Sequence, residues 1–237
     1  MAWRALLATV AAVTATALPV VGAPAVPAVS SESTSVAARS ALSAWRAGTV
    51  TVEEAATLAI VSDGQPRVAR LSIPALGLRD LTVVPYRGWT DDRPGTDLQD
   101  RGVGASPFGP RGGVGPGGLG NYQITAHRTS STAAFRMLPS LRTGQQAVVA
   151  VEGVRFVYEI RQTRRTSFRS PRSLAEQRAA VPGRPGSSPT RAFLTLSTCA
   201  TLEDHAAGNY WADEFHNPEH RTDKIGVLVR QERVGPP

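Results

Sequence analysis

A chain of 237 residues with 41% hydrophobic side chains is long enough for one medium domain plus extra segments, and apolar enough for a real core. The net charge of +7 comes from scattered arginines, with Lys224 the only lysine and Arg164-Arg165 the densest cluster. No aromatic-interleaved basic stripe accompanies them, which argues against a nucleic-acid surface and leaves an anionic envelope partner compatible with the charge. One cysteine excludes an intramolecular disulfide, and 22 glycines with 18 prolines point to strands joined by long loops.

The first predicted element is an export signal. Arg4 precedes an apolar run from Ala5 to Val21, followed by small residues at Val21-Gly22-Ala23 and Ala23-Pro24-Ala25. The run is rich in Ala and Thr and broken by Pro19, so it is weak as a spanning helix. Residues 1–25 are therefore read as a signal peptide or signal-anchor, and the protein is expected at the outer face of the cytoplasmic membrane or in the cell wall. Residues 26–66 read as a linker and a helical extension. Ser35 to Gly48 has helical spacing, and Thr51-Val-Glu-Glu54 resembles a capping box.

From Arg67 the period changes from helical to alternating, and residues 67–237 are read as one β-rich domain. Val68–Ile73 and Leu81–Tyr86 are predicted strands, and Gly88–Gly120 a Gly/Pro-rich loop. Asn121–Ala126 is a strand, Ala133–Leu141 a short helix limited by Pro139, and Gln146–Glu152 with Val154–Thr163 a hairpin turning at Glu152-Gly153. Ser170–Ala180 is helical, Val181–Thr190 a loop, Ala192–Thr198 a strand, and Lys224–Gln231 a closing strand. At least seven strand-like runs with few helices predict a mainly β fold, a closed antiparallel or mixed barrel.

Two residues at strand ends stand out. Cys199 follows the strand Ala192–Thr198 and precedes a polar loop, where a nucleophile is both held and reachable. The blander reading is a buried small hydrophobe. His127 ends the strand Asn121–Ala126 and is the candidate base or cation that a reactive thiol needs. Spacing alone does not bring the two together.

Three segments around them resemble the sortase family of cysteine transpeptidases. Asn121-Tyr-Gln-Ile-Thr-Ala-His127-Arg128 is similar to the strand that delivers the histidine of its "GHR" motif. Phe135-Arg-Met-Leu138-Pro-Ser-Leu141-Arg-Thr-Gly144 looks like its "FxxLxxLxxGD" segment, and Thr195-Leu-Ser-Thr-Cys199 like its "TLxTC" nucleophile segment. Each is weak alone, and jointly they cover about Arg67 to Gln231. The pattern most resembles class E sortases of high-GC Gram-positive bacteria.

The resemblance implies a sortase-type closed β-barrel that acts as a monomer without a cofactor or metal. It implies attack by Cys199 on the Thr–Gly bond of an LPxTG- or LAxTG-like sorting motif on a secreted protein. His127 serves as general acid and base, and the acyl group passes to an amine of a cell-wall precursor or pilin. It also implies an arginine at the oxyanion.

Here the sequence departs from the family, because Ala200 to Thr222 separates Cys199 from the closing strand. Arg221, Lys224 and Arg230 are the candidates. Alternation is expected to place Ile225, Val227 and Val229 toward the core and Lys224 on the other face. Arg221 is chosen for its planar fork, on the expectation that Thr222-Asp223 bends to let it reach. Lys224 is the runner-up. His216-Asn-Pro-Glu-His220 spells a metal motif that works on a helix, and Pro218 argues against one. Tyr210, Trp211 and Phe215 read as a small core anchoring the insertion. A catalytically silent binding module and a metallohydrolase built on His216 and His220 are the alternatives.

Overall fold

The computed structural model describes residues 62–234. The predicted signal (1–25) and most of the 26–66 extension lie outside the described residues. Eight strands form the body: β1 (Ala69–Ile73), β2 (Leu78–Arg87), β3 (Gly104–Phe108), β4 (Gly120–Thr125), β5 (Gln146–Val151), β6 (Val154–Ser167), β7 (Ala192–Cys199) and β8 (His220–Arg233). They close into a barrel in the order β1-β2-β3-β4-β7-β8-β6-β5. β2/β3 and β4/β7 are parallel pairs and the rest are antiparallel. Closure leaves no open sheet edge, which removes the backbone donors and acceptors that invite aggregation. Three short helices lie outside: α1 (Arg93–Asp100), α2 (Pro171–Arg178) and α3 (Thr201–Ala206).

The core follows strand alternation. Tyr122 and Ile124 of β4 point inward with Leu194 and Leu196 of β7, Leu71 and Ile73 of β1, and Tyr158 and Ile160 of β6. Asn121, Gln123 and Thr125 then share the outer face of β4, and Thr195 and Ser197 that of β7. Those polar residues are buried too, because loops and α2 cover them.

Three differences from the sequence reading have physical causes. The stretch 88–120 is not loop throughout. Asp92 caps α1 by accepting from Gly95 N at 3.0 Å, with a proline in the first turn, a start signal hidden among the glycines. The predicted helix over 133–141 is only a 3-10 turn, Leu138–Ser140, because Pro139 sits inside it. Its apolar residues Phe135, Leu138 and Leu141 are nonetheless fully buried in the core.

The third difference bears on the site. β8 begins at His220, four residues earlier than expected, and its faces are the reverse of those predicted. A Cβ on Gly226 would meet Tyr158 Cβ at 3.2 Å and Ile160 Cδ1 at 3.5 Å, so Gly226 faces the core, and Leu228 packs there as well. Val229 is 44% exposed. Arg221, Asp223 and Ile225 therefore lie on the outer face of β8.

Both described ends meet the same corner. Arg67 pairs with Glu152 at 3.1 Å, and Val234 N donates to Gly153 O at 2.8 Å. β1 begins and β8 ends at the pole where β4 and β7 begin.

Candidate active site

Three neighbouring strands bring their ends to one place. β4 and β7 run parallel with Thr125 opposite Ser197. The pairing continues one step: Ala126 N donates to Ser197 O at 3.3 Å, and Thr198 Oγ1 donates to Ala126 O at 2.8 Å. His127 and Cys199 thus leave adjacent strand ends, and alternation sets both on the outer face. β7 and β8 are antiparallel with Cys199 directly opposite Arg221. No bend at Thr222-Asp223 is needed to bring Arg221 there, because those residues are themselves strand.

Arg221 is the most constrained side chain of the group. It is 1% exposed. Nη1 donates to Cys199 Sγ, and Nε donates to Asp91 Oδ2 at 3.0 Å. The guanidinium lies 4.6 Å from the Phe168 ring centroid, a cation–π contact. Nη2 is buried with no hydrogen-bond partner among the described residues. Burial works against the charge. The Asp91 carboxylate and the Cys199 sulfur outweigh it and hold the group above the ordinary arginine range.

Cys199 is half-buried. Burial pushes its thiol up, Arg221 pulls it down, and Asp91 pushes it up again, so the net direction is up. The resting side chain is therefore a thiol more than a thiolate near neutral pH, and a base must take its proton as it reacts.

His127 is fixed by its other neighbours. Its Nε2 lies 2.8 Å from Asp100 Oδ1 at the end of α1, and its carbonyl accepts from Phe135 N at 3.0 Å. The buried Phe135 thus anchors the chain that leaves the histidine. The sulfur's hydrogen-bond partner is Arg221, not His127.

Arg128 has a different job. It donates through Nη2 to Glu203 Oε1 at 2.8 Å, through Nη1 to Glu203 Oε2, and through Nη1 to the Cys199 carbonyl at 3.3 Å. The pair clamps α3 against the β4 end, and the Arg128 guanidinium holds Glu203 below its usual carboxylate range.

Lys224 goes elsewhere. Its Nζ donates to Pro139 O at 2.9 Å and Thr163 Oγ1 at 3.0 Å, on the far side of the sheet from the thiol. The His216–His220 run is a turn followed by a strand, with His216 at φ 60°, so the two imidazoles do not share a helix face. Among the described residues no group of three or more His, Cys, Asp or Glu is placed to hold a metal.

The insertion is tied down by polar bonds rather than by an aromatic core. Buried Asp204 accepts from Arg165 Nη2 at 2.6 Å and from His220 N at 3.0 Å, and Asn209 Nδ2 donates to Glu219 Oε2 at 2.9 Å. Tyr210 is 72% exposed and stacks on His205.

Asp91 and Asp100 escape the sequence reading. Asp91 and Arg221 are 130 residues apart, and neither acid lies in a segment with a periodic signal. The one available hint is the Asp91-Asp92-Arg93-Pro94 string, a cap-and-proline helix start that places Asp91 at a turn.

Comparison with known proteins follows the same lines. A family model described as the Sortase domain matches residues 71–212. Among solved structures, sortase E1 from Streptomyces coelicolor, determined with a tripeptide in its active site, is 22% identical. It covers 75% of this chain and 98% of its own, with a TM-score of 0.54. Sortase E from Streptomyces avermitilis is also 22% identical, covering 74% and 97%, with a TM-score of 0.52. A SrtA sortase from Actinomyces oris is 17% identical, covering 73% and 90%, with a TM-score of 0.53. At these identities the likeness establishes the fold. A search of curated proteins finds no match.

Proposed function

Because the chain belongs to the sortase family, we propose that it is a cysteine transpeptidase acting on the Thr–Gly bond of an LPxTG- or LAxTG-like sorting motif, exported by its N-terminal segment. Cys199 is the nucleophile, His127 the acid and base, and Arg221 the oxyanion cation. The observation that carries this reading is the placement of Arg221: one nitrogen on the Cys199 sulfur, and Nη2 buried without a partner among the described residues. An unpaired buried donor costs roughly 1–3 kcal/mol. In this reading a substrate oxygen completes it.

The chemistry then runs in two halves. His127 takes the thiol proton as Cys199 Sγ bonds to the threonine carbonyl carbon. Arg221 Nη2 donates to the oxygen that becomes negative. The C–N bond breaks, His127 returns the proton to the leaving glycine amine, and the acyl group remains as a thioester on Cys199. An amine of a cell-wall precursor or pilin attacks that thioester and loses its proton to His127, which restores the thiol. Asp100 at Nε2 leaves Nδ1 as the nitrogen for these transfers. A silent binding module does not need a cation on the sulfur, and the Arg221 contact speaks against it.

Incubating the purified protein with sorting-motif peptides is expected to give a thioester on Cys199, detected by mass spectrometry. No adduct with any Leu-Pro or Leu-Ala motif overturns the substrate assignment.

Arg221 and Lys224 are separated by two variants. Arg221→Lys keeps the charge and loses the fork, and is expected to slow thioester formation by about 10²–10³-fold, the loss of an oxyanion donor. Lys224→Met removes the charge, and is expected to leave the rate within about threefold, because Lys224 Nζ bonds Pro139 and Thr163 and not the thiol. The opposite ranking assigns the oxyanion to Lys224.

A further inference from the structure

Asp91 is a buried carboxylate that the two-step chemistry does not use. It is 6% exposed, and its φ of 57° is a left-handed backbone conformation disfavoured for a residue other than glycine, asparagine or aspartate.

The surroundings are well tied. Asp92 Oδ2 accepts from Trp89 N at 3.0 Å, and Tyr86 Oη donates to Trp89 O at 2.6 Å. On the next residue, Thr90 Oγ1 donates to Gln177 Oε1 at 2.9 Å and accepts from Arg178 Nε at 3.0 Å. Gln177 in turn donates to Ser197 Oγ at 3.2 Å and Asp223 Oδ1 at 3.0 Å, the outer-face residues two positions from Cys199 and Arg221. The loop that carries Asp91 is thereby referenced to the two strands that carry the thiol and the guanidinium. Within it, Asp91 splits its carboxylate: Oδ1 accepts from Gln99 Nε2 at 3.0 Å, and Oδ2 accepts from Arg221 Nε at 3.0 Å.

We propose that Asp91 is the positioning residue of this site: it fixes the plane of the Arg221 guanidinium so that Nη1 meets the Cys199 sulfur and Nη2 is left free for the oxygen of the scissile carbonyl. The assignment rests on the transpeptidase reading for the identity of that oxygen. A guanidinium is a planar fork, so holding Nε sets the direction of both terminal nitrogens at once. A carboxylate is chosen over a neutral acceptor for a second reason. It offsets the field of Arg221 at the sulfur and keeps the resting thiol protonated until His127 acts, consistent with the direction of the Cys199 shift.

The charged groups around the thiol are few. They are Arg221 and Asp223 from β8, Asp91 from the β2–α1 loop with Arg178 of α2 facing it, Arg128 on the Cys199 carbonyl with Glu203 from α3, and His127 with Asp100. Asp213, from the loop before β8, adds to the field on Arg221.

Two variants test the assignment without unfolding the loop, because asparagine and glycine both accept a positive φ. Asp91→Asn removes the charge and keeps an acceptor for Arg221 Nε. Asp91→Gly removes both. The first readout is the pH dependence of Cys199 alkylation by iodoacetamide, which needs no substrate. Losing the carboxylate favours the thiolate, so the midpoint is expected to move to lower pH by about one unit in both variants.

The second readout is thioester formation with a sorting-motif peptide. A misplaced donor is expected to lower kcat by about 100-fold in Asp91→Gly and by less than about tenfold in Asp91→Asn, with KM changed by less than about twofold in both. Unmoved midpoints overturn the proposal, even if turnover falls, because a merely structural role lowers turnover alone. Full turnover in Asp91→Gly overturns it as well. If the wild-type protein forms no thioester while both midpoints shift, the sorting-motif reading fails and the pairing of Asp91 with Arg221 and Cys199 stands.

Discussion

Replacing Cys199 by alanine is expected to abolish thioester formation and transpeptidation while leaving the fold in place. The sulfur is the only atom in the site that can carry the acyl group, so no residual pathway through a covalent intermediate remains. The cost to stability is modest: a half-buried CH2SH at a strand end becomes CH3, and the hydrogen bond from Arg221 Nη1 is lost. Arg221 loses the contact at Nη1 and keeps Asp91 at Nε, so its charge stays paired. The midpoint of thermal unfolding is expected within about 3 °C of wild type, equivalent to about 1 kcal/mol in a domain of this size. Peptide cleavage retained by Cys199→Ala, measured by chromatography of the products, removes Cys199 from the mechanism.

His127→Ala is expected to slow turnover by about 10²–10⁴-fold, the usual range for a positioned acid–base group. In the proposed mechanism the effect falls on both halves of the reaction, because one imidazole protonates the first amine and deprotonates the second. The raised thiol makes the dependence stronger: a cysteine that rests protonated needs a base in the first step. The neighbouring acid behaves differently from a buried triad aspartate. The Asp100 side chain is 61% exposed, where water screens a carboxylate. Asp100→Asn is expected to cost no more than about tenfold, through poorer orientation of the ring. Single-turnover kinetics check the ranking. His127→Ala within fivefold of wild type removes the histidine from proton transfer.

Much of the barrel is legible in the sequence because alternation is a local signal. The hairpin through Glu152-Gly153, the strand leading to Cys199 and the strand leading to His127 all announce themselves by period two and by turn residues. The start of β8 does not. His220 to Asp223 contains no apolar residue, so the pattern begins only at Ile225, although the chain is already paired to β7 and β6. Gly226 inverts the face reading, because a residue without a side chain carries no hydropathy signal yet is the one Tyr158 packs against. The acids of the site are less legible still. Asp91 and Asp100 act through contacts 130 and 27 residues away, and their roles arise only when α1 lies back across the outer face. Strand ends can be read from a line of residues. The electrostatics that surround them depend on which loops fold over the sheet.

The shared corner of the two described ends fixes an orientation. Cys199 and His127 stand where β7 and β4 finish, at the pole opposite the one where β1 begins and β8 stops. The described chain enters and leaves the barrel on the side away from Cys199, so neither described end crowds the approach to the thiol.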